Sequence, residues 1–377
     1  MGDSLTIFIQ KSAFHYKNGG QHAANHKTNA TTEAPLSNIH STKDSKLTFV
    51  NSKILHLFPI GVILLVRKAI LIDYGHMTKQ PTRATHLYPE GWTDYRLVDS
   101  GQGLKLEQFG PYRFIRPEPQ ALWAKFLPDS EWTCADGVFL PGSTEDRGKW
   151  QLSDRLPSSW QMVFENIKFT ALPTPFRHLG FFPEQSANWQ WTAEKIKTFI
   201  KKTSRAPKLL NLFAYSGVAS LHAAAAGAEV THLDASKKAV ALAFDNRSLS
   251  GLEKAPIRFI TDDVLRFVAR EKRRGNRYEG ILLDPPKWGR GPKGEVWKIK
   301  ENLPELLNGC RALLSNEPLL FIATLYAIRT STTAVHAAIA DVLDGLGGEI
   351  RSGELALRED RANGRGIGQA LYVRWSI

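Results

Sequence analysis

Segments with the apolar spacing of strands alternate with segments that have the apolar spacing of helices along the carboxyl-terminal half of this chain. This alternation is the sequence feature that most restricts the fold. Short Leu-, Ile- and Val-rich runs predict strands, and longer segments with helical spacing predict helices. The predicted strands are 208–213, 229–233, 257–260, 278–283, 319–323, 349–357 and 369–375, and the predicted helices are 189–202, 218–226, 237–249, 264–274, 303–314 and 333–343. Such an order predicts an α/β protein with a doubly wound, Rossmann-like, mostly parallel sheet.

Acidic residues follow three of these predicted strands at the positions where such sheets bind ligands. Asp234, the pair Asp262 and Asp263, and Asp284 all stand at strand ends. Asp234 also lies at the distance from Phe213, about 20 residues, at which an acid binds ribose hydroxyls in nucleotide-binding folds. A single acid here could equally cap a helix. Three at successive strand ends favour a nucleoside site.

The loop after the first predicted strand carries one glycine, in the sequence Phe213-Ala214-Tyr215-Ser216-Gly217. It lacks the three glycines that let the backbone approach a dinucleotide pyrophosphate. This argues against a nicotinamide-dependent oxidoreductase. It favours a nucleoside joined to an amino acid, whose carboxylate can bind backbone N–H groups where a helix begins. S-adenosylmethionine (SAM) has this structure.

A stiff polar loop, Asp284-Pro285-Pro286-Lys287-Trp288, follows the predicted strand 278–283. The prolines fix the backbone, and their neighbouring carbonyl oxygens are expected to accept hydrogen bonds from a base edge. Trp288 could stack on that base and Lys287 could contact phosphate. A simple tight turn would explain the prolines but not the acid before them or the cation and ring after them. The basic segment 289–294 is predicted to be a mobile phosphate-binding flap.

The overall charge is compatible with a nucleic-acid partner. Lys and Arg number 49 against 37 Asp and Glu, a net charge of +12, which attracts polyanions. A merely soluble basic protein would show the same balance. Two cysteines, Cys134 and Cys310, are too few for a disulfide framework or a zinc site and suit a reducing cytosol. Both are predicted to be inert packing residues.

The chain is expected to have three parts. Residues 1–76 have a polar composition typical of disorder, with one apolar run, 54–66, that is shorter than the roughly 20 residues needed to span a bilayer. A weak membrane anchor is the alternative. We expect this part to be disordered or a non-native extension, with translation starting at Met77. Residues 77–185 are predicted to form a small β-rich substrate- or RNA-binding domain, and 186–377 the catalytic domain.

Many rings and several arginines lie in the β-rich part. They are either the core of a small sheet or stacking platforms for unpaired bases. They comprise Trp92, Tyr95, Trp123, Trp132, Trp150, Trp160, Arg96, Arg113 and Arg116. The segment that follows, 181–185, is either a linker or a lid over the cofactor.

Taken together, these motifs resemble those of class I SAM-dependent methyltransferases, in particular the bacterial 23S (large-subunit) ribosomal RNA methyltransferases, over about residues 85–377. The resemblance implies a cytoplasmic enzyme that binds SAM and RNA, with no metal and no membrane partner. The implied cofactor residues are Phe182, Gln185, Asn211, Phe213, Ala214, Tyr215, Ser216, Gly217, Asp234, Ala235, Ser236, Asn246, Asp262, Asp263 and Asp284. The implied target-base residues are Asp284, Pro285, Pro286, Lys287 and Trp288.

Two departures from that family bear on the substrate. Methylation of cytosine at C5 needs a cysteine nucleophile, which the family places just after the fifth strand, and segment 322–327 has none. A nitrogen target, which needs no covalent activation, is therefore favoured. The family's PUA-type RNA-binding module is not recognisable. The alternatives are a methyltransferase for a small molecule or a protein, and a non-catalytic RNA-binding assembly factor.

Overall fold

A computed structural model describes residues 85–144, 147–326 and 328–377, so the predictions for residues 1–76 lie outside the described residues. The strands are β1 (Thr85–Leu87), β2 (Tyr95–Gly101), β3 (Leu104–Phe109), β4 (Tyr112–Pro117), β5 (Gly137–Thr144), β6 (Arg147–Leu152), β7 (Trp160–Phe164), β8 (Ile167–Ala171), β9 (Lys208–Leu212), β10 (Glu229–Asp234), β11 (Ile257–Thr261), β12 (Gly280–Leu283), β13 (Trp288–Arg290), β14 (Val296–Lys298), β15 (Leu320–Tyr326), β16 (Glu349–Arg358) and β17 (Gly366–Ser376). The helices are α1 (Asp129–Thr133), α2 (Ser186–Thr203), α3 (Val218–Ala225), α4 (Lys237–Leu249), α5 (Val264–Arg274), α6 (Ile299–Leu313) and α7 (Thr332–Leu343), with a 3₁₀ turn at Pro183–Gln185.

Eight strands form the large sheet, in the order β1-β16-β17-β15-β12-β9-β10-β11. Strands β9, β10, β11, β12 and β15 are parallel, and β17 runs antiparallel to both β15 and β16. The inner strands are buried along their length because the sheet lies between helices. The predicted doubly wound α/β fold is therefore confirmed.

The predicted elements of this region agree closely with the observed ones. Helices α4 and α5 have the predicted bounds, since Ser236 and Asp263 cap their amino termini through side-chain oxygens. Helix α6 begins earlier than expected, at Ile299, and contains Pro304 as its sixth residue. Segment 289–294, predicted to be a flap, lies in an antiparallel hairpin made by β13 and β14.

The β-rich part contains a five-stranded sheet, β2-β3-β4-β5-β6, and the separate hairpin β7-β8. Its rings pack against one another: Phe109 contacts Tyr95, Phe114 and Phe181 at ring-centre distances of 5.0, 5.7 and 5.7 Å. Trp160 stacks on Phe114 at 5.4 Å. The rings therefore form a core, and the alternative that they are platforms for bases is not supported by their packing.

The predicted arginines are engaged as well. Arg116 is buried, Arg113 pairs with Glu131, and Arg96 pairs with Asp360 of the loop between β16 and β17. Cys310 is buried in α6, as predicted for a packing residue, and burial raises its pKa to about 12. Cys134 is exposed, so the packing prediction is wrong for it, because it follows the short surface helix α1.

The two-residue period of β3 does not separate a buried face from a solvent face. Lys105 and Glu107 are both buried, because this strand face packs against the large sheet. Arg116 donates two hydrogen bonds to Glu107, each 2.6 Å long, and Tyr95 donates a third of 2.9 Å. Lys105 lies 3.5 Å from Glu118. The buried charges thus neutralise one another.

The two regions share one continuous hydrophobic core, in which Phe109 and Leu209 belong to the same cluster. Strand β1, within the segment predicted as the small domain, pairs with β16 of the large sheet. The predicted domain boundary at residue 185 stays a prediction. Strand β1 precedes this boundary in the sequence but belongs to the large sheet, most of which follows it.

The Glu107–Arg116 pair provides a test of this buried interface. Arg116→Met leaves the Glu107 carboxylate without its bidentate partner, and we expect a loss of about 3–5 kcal/mol in the free energy of unfolding, measured by urea denaturation. Arg96→Met, which breaks a solvent-exposed pair, should cost less than about 1 kcal/mol. Equal losses in the two variants would contradict the inferred importance of the buried pair.

Candidate active site

A cleft opens where the chain leaves the sheet in opposite directions. β9 pairs with β10 on one side and with β12 on the other, and ligands of open α/β sheets bind at such a switch point. The cleft contains about 580 Å³ of space that is not filled by atoms. It is lined by Phe181, Phe182, Gln185, Asn188, Trp189, Asn211, Phe213, Ala214, Tyr215, Ser216, Val218, Ala219, Leu282, Leu283, Asp284, Ile322 and Thr324.

The loop between β9 and α3 is held in an uncommon backbone conformation. Phe213 and Tyr215 have φ values of 57° and 45°, and Gly217 has 82°. For residues other than glycine this region costs about 1–3 kcal/mol each and occurs where the surrounding structure imposes it. Ala214 donates its N–H to the carbonyl of Leu233 at 3.0 Å, which fixes the loop against β10.

Some loop amides expected to bind a carboxylate are already used within the protein. The N–H of Tyr215 donates to Asp234 at 2.9 Å, and the N–H of Gly217 donates to Ala214 at 3.0 Å. The first N–H groups of a helix have no acceptor within it. Val218 and Ala219, the first residues of α3, line the cleft, so they are better placed for this role.

Asp234 supports the loop from the end of β10. Its two carboxylate oxygens accept from the N–H groups of Tyr215 and Ser236, at 2.9 and 2.8 Å. Burial raises its pKa, and these backbone bonds act in the opposite direction. A carboxylate has further lone pairs. Binding of a ribose by Asp234 therefore stays a prediction that the geometry permits.

The remaining predicted cofactor residues stand behind this loop or further along the sheet edge. Asn246 is fully buried, donates to the carbonyl of Ser216 and accepts from the N–H of Thr170, both at 2.9 Å. We infer that it positions the loop. Asp262 pairs with Arg270, and Asp263 caps α5. Among the described residues that line the cleft, neither acid is present, nor are Ala235 and Ser236.

Asp284 lies at the carboxyl end of β12, at the centre of the cleft. Its side chain is half-buried and accepts a 2.9 Å hydrogen bond from Gln185 of the 3₁₀ turn. Burial, together with the nearby Glu184, raises its pKa to about 7, although the Gln185 hydrogen bond acts in the opposite direction. A carboxyl group with this pKa exchanges protons near neutral pH, as a general acid or base must.

The residues after Asp284 differ in exposure. Pro285 is buried, whereas Pro286, Lys287 and Trp288 are exposed, with 49% of Trp288 accessible. Contrary to expectation, the carbonyl oxygen of Pro286 is not free for a base, because it accepts a 2.7 Å hydrogen bond from the indole of Trp297. This bond attaches the stiff loop to β14.

Segment 181–185 is part of the cleft wall rather than a linker. Phe182 contacts Tyr326 and Tyr215, at ring-centre distances of 5.1 and 6.5 Å. Among the lining residues that were not predicted from sequence are the polar Asn188 and Thr324. Asn188 lies one helical turn after Gln185, and this spacing was the only available signal.

Comparison with known proteins decides the family. A family model described as "S-adenosylmethionine-dependent methyltransferase" matches residues 145–333, half of the chain. A solved structure of a SAM-dependent methyltransferase from Agrobacterium tumefaciens is 45% identical, with a TM-score of 0.74, and covers 78% of this chain and 93% of that one. The chain belongs to the SAM-dependent methyltransferase family.

Curated relatives of this methyltransferase cover part of its length. A ribosomal RNA large subunit methyltransferase K/L from Hahella chejuensis is 36% identical over 260 residues, 66% of this chain. The corresponding protein from Shewanella frigidimarina is 32% identical over 178 residues, 46% of this chain. The chain spans 34% and 24% of the length of these relatives.

The residues of the cleft fit SAM, the cofactor of this family. The cleft combines aromatic walls at Phe182 and Tyr215, the amino terminus of α3 and the carboxyl group of Asp284. These groups suit an adenosine, an amino-acid carboxylate and a sulfonium cation respectively. The residue assignments stay predictions.

Two features are absent from the described residues. Each helix in these ranges is too short or too polar to span a bilayer. No group of three or more His, Cys, Asp or Glu side chains in the described ranges could hold a metal ion.

Gly217 can be tested against a second glycine of similar backbone conformation. A Cβ at Gly217 would lie 2.7 Å from the Cβ of Ala243, whereas one at Gly251, with φ 67°, meets nothing within 4 Å. Gly217→Ala adds overpacking to backbone strain, each worth about 1–3 kcal/mol. We expect it to weaken SAM binding at least about tenfold by calorimetry, the equivalent of about 1.4 kcal/mol. Gly251→Ala should bind SAM as the unchanged protein does; equal losses would refute the argument.

The pKa of Asp284 predicts a dependence of stability on pH. Because the folded protein raises this pKa to about 7, it holds the proton more tightly than the unfolded chain, so stability falls as pH rises from the ordinary carboxyl pKa through about 7. Asp284→Asn removes this effect. The stability of the variant minus that of the unchanged protein should therefore be larger at about pH 8 than at about pH 5. Thermal unfolding of both proteins without ligand measures this difference. A pH-independent difference would show that the Asp284 pKa is not raised.

Proposed function

We propose that this protein transfers a methyl group from SAM to a nitrogen atom of a ribosomal RNA base, in the cytoplasm. The observation that carries the proposal is the position of Asp284, which is half-buried at the switch point beside the strained loop and is followed by exposed Lys287 and Trp288. The names of the curated relatives and the net charge of +12 support RNA as the substrate.

The hairpin made by β13 and β14 is the surface we assign to RNA. Trp288 is exposed on it, and the guanidinium of Arg290 lies 5.4 Å from its ring centre. Lys293 lies at its tip, and Glu295 anchors it to α5 through a 2.6 Å bond from Arg266. A ring beside cations suits an unpaired base followed by phosphates. The proposal also retains the predicted division of the chain into a β-rich domain, residues 77–185, and a catalytic domain, residues 186–377.

A nitrogen acceptor is favoured because no thiol is available at the cleft. Neither cysteine is among the described lining residues, and Cys310 is buried in α6. When bound, SAM supplies an electrophilic methyl group. The protein residues then position the base nitrogen and exclude water. Asp284, in its ionised form, accepts a hydrogen bond or a proton from the base amino group.

Methyl transfer to RNA is tested with labelled SAM and protein-free ribosomal RNA. We expect label in bases of the large-subunit RNA, a rate that rises with pH through about 7, and a loss of transfer in Asp284→Asn that is larger than its loss of SAM affinity. Trp288→Ala should raise the KM for RNA about tenfold, since stacking on one base is worth about 1–3 kcal/mol.

The matched control is Phe126→Ala. It also removes an exposed ring, but this ring belongs to the β-rich part and is distant in sequence from Trp288. It should leave the KM for RNA unchanged. Transfer should also weaken steeply with added salt if phosphates are bound. Label found only in a small molecule or in protein would overturn the substrate, and SAM binding without any transfer would favour an assembly factor.

A further inference from the structure

A chain of hydrogen bonds joins Asp284 to an arginine on β17, which lies two strands away from β12 in the large sheet. Arg374 of β17 donates through Nε to Oδ1 of Asn188 at 2.8 Å. Asn188 of α2 donates through Nδ2 to Oε1 of Gln185 at 2.7 Å. Gln185 donates through Nε2 to Oδ2 of Asp284 at 2.9 Å. The chain of bonds therefore links β17 to Asp284 through Asn188 and Gln185, which are neighbours at the start of α2.

The direction of this chain is set by Arg374. Asparagine and glutamine amides can bond in either orientation, but a guanidinium has donors only. Asn188 must therefore turn its oxygen to Arg374, which directs its NH₂ to Gln185 and, at 3.1 Å, to the hydroxyl of Thr324. Gln185 in turn must present its NH₂ to Asp284.

The burial of Arg374 costs more free energy than a purely structural role would justify. It is only 9% exposed, and among the described residues its one side-chain hydrogen bond is to Asn188, while its Nη2 has no partner. Its guanidinium lies 5.2 and 5.3 Å from the ring centres of Trp191 and Tyr372. Burying a charge without a carboxylate partner costs free energy. Such a cost is typical of residues kept for function.

We propose that Arg374 and Asn188 are positioning residues that hold the Gln185 amide in its donor orientation, so that Asp284 stays an acceptor toward the target base. This inference rests on the proposed function of the cleft. With Oδ2 of Asp284 engaged by Gln185, Oδ1 is the oxygen that receives the hydrogen bond or proton of the base. Without the arginine, Gln185 could rotate and present its oxygen, which would favour the protonated, donating form of Asp284.

The other ionisable groups near Asp284 strengthen the need for this donor. Glu184 raises the pKa of Asp284 and itself accepts a 2.9 Å bond from the hydroxyl of Tyr326. Burial raises the pKa of Glu184, while the charges of Lys105 and Arg116, from the β-rich part, lower it. The Gln185 amide is the neutral donor that opposes these effects at Asp284 itself.

The proposal is tested by titrating Asp284 in the ligand-free protein. The infrared band of its protonated carboxyl group is identified by its loss in Asp284→Asn. In Arg374→Met the titration midpoint should rise by roughly one to two pH units, because a hydrogen bond to a charged group is worth about 1.5–3 kcal/mol. The acid limb of kcat should move with it, and the KM for SAM should change less than about threefold. Arg374→Lys, which keeps a donor, should restore both.

Two further variants keep the test decisive. Arg351→Met is the matched control: Arg351 is the register partner of Arg374 on β16, is exposed and pairs with Glu349, and its loss should not move the midpoint. If Arg374→Met does not fold, Asn188→Leu replaces it. It removes the amide that connects Arg374 to Gln185 without adding a charge, so the midpoint should again rise.

The outcomes separate this inference from the proposed function. An unchanged midpoint in a folded Arg374→Met or Asn188→Leu protein would overturn the positioning role even if RNA is methylated. A raised midpoint supports the role even if RNA is not the substrate, since the titration needs neither SAM nor RNA.

Discussion

The divergence of the chain at β9 is the constraint on which the rest of this structure depends. β9 is hydrogen-bonded to β10 and β12 at once, and the loops that leave these strands turn to different sides. Ala214 is bonded to Leu233 at the end of β10, and Asp284 to Leu212 at the end of β9. The crevice between these loops is therefore fixed by backbone bonds of the sheet.

The cleft is built at a cost in stability. Phe213 and Tyr215 have left-handed backbones, Asp284 carries a raised pKa, and Arg374 is a buried cation without a carboxylate partner. Each of these features disfavours folding by itself. The large cores on both faces of the sheet supply the stability that holds them in place. As a result, the reacting groups are held in their orientation before any ligand binds.

The β-rich part contributes to the cleft through its contacts with the large sheet. It shares a core with that sheet, and its buried Lys105 and Arg116 act on Glu184, the neighbour of Gln185. Its rings, which composition alone would allow as a platform for bases, are used for packing. The RNA surface that we propose consequently lies on the β13–β14 hairpin, beside the target-base loop.

The sequence by itself determined the order of the elements and the chemistry of the loops. Strand and helix periods predicted the sheet, because buried strands and amphipathic helices have different spacings, and the loops 213–217 and 284–288 were found at strand ends. Local capping likewise fixed the ends of α4 and α5.

The tertiary structure alone decided which polar groups face one another. Asn188 carries only the signal of its spacing from Gln185, and Arg374 carries no local signal, since it lies in a strand 186 residues away in sequence. Lys105 and Glu107 are buried although both are charged, and the indole of Trp297 donates to the Pro286 carbonyl that was expected to face a base. Hydrogen bonds between distant side chains depend on packing, which residue spacing along the chain does not specify.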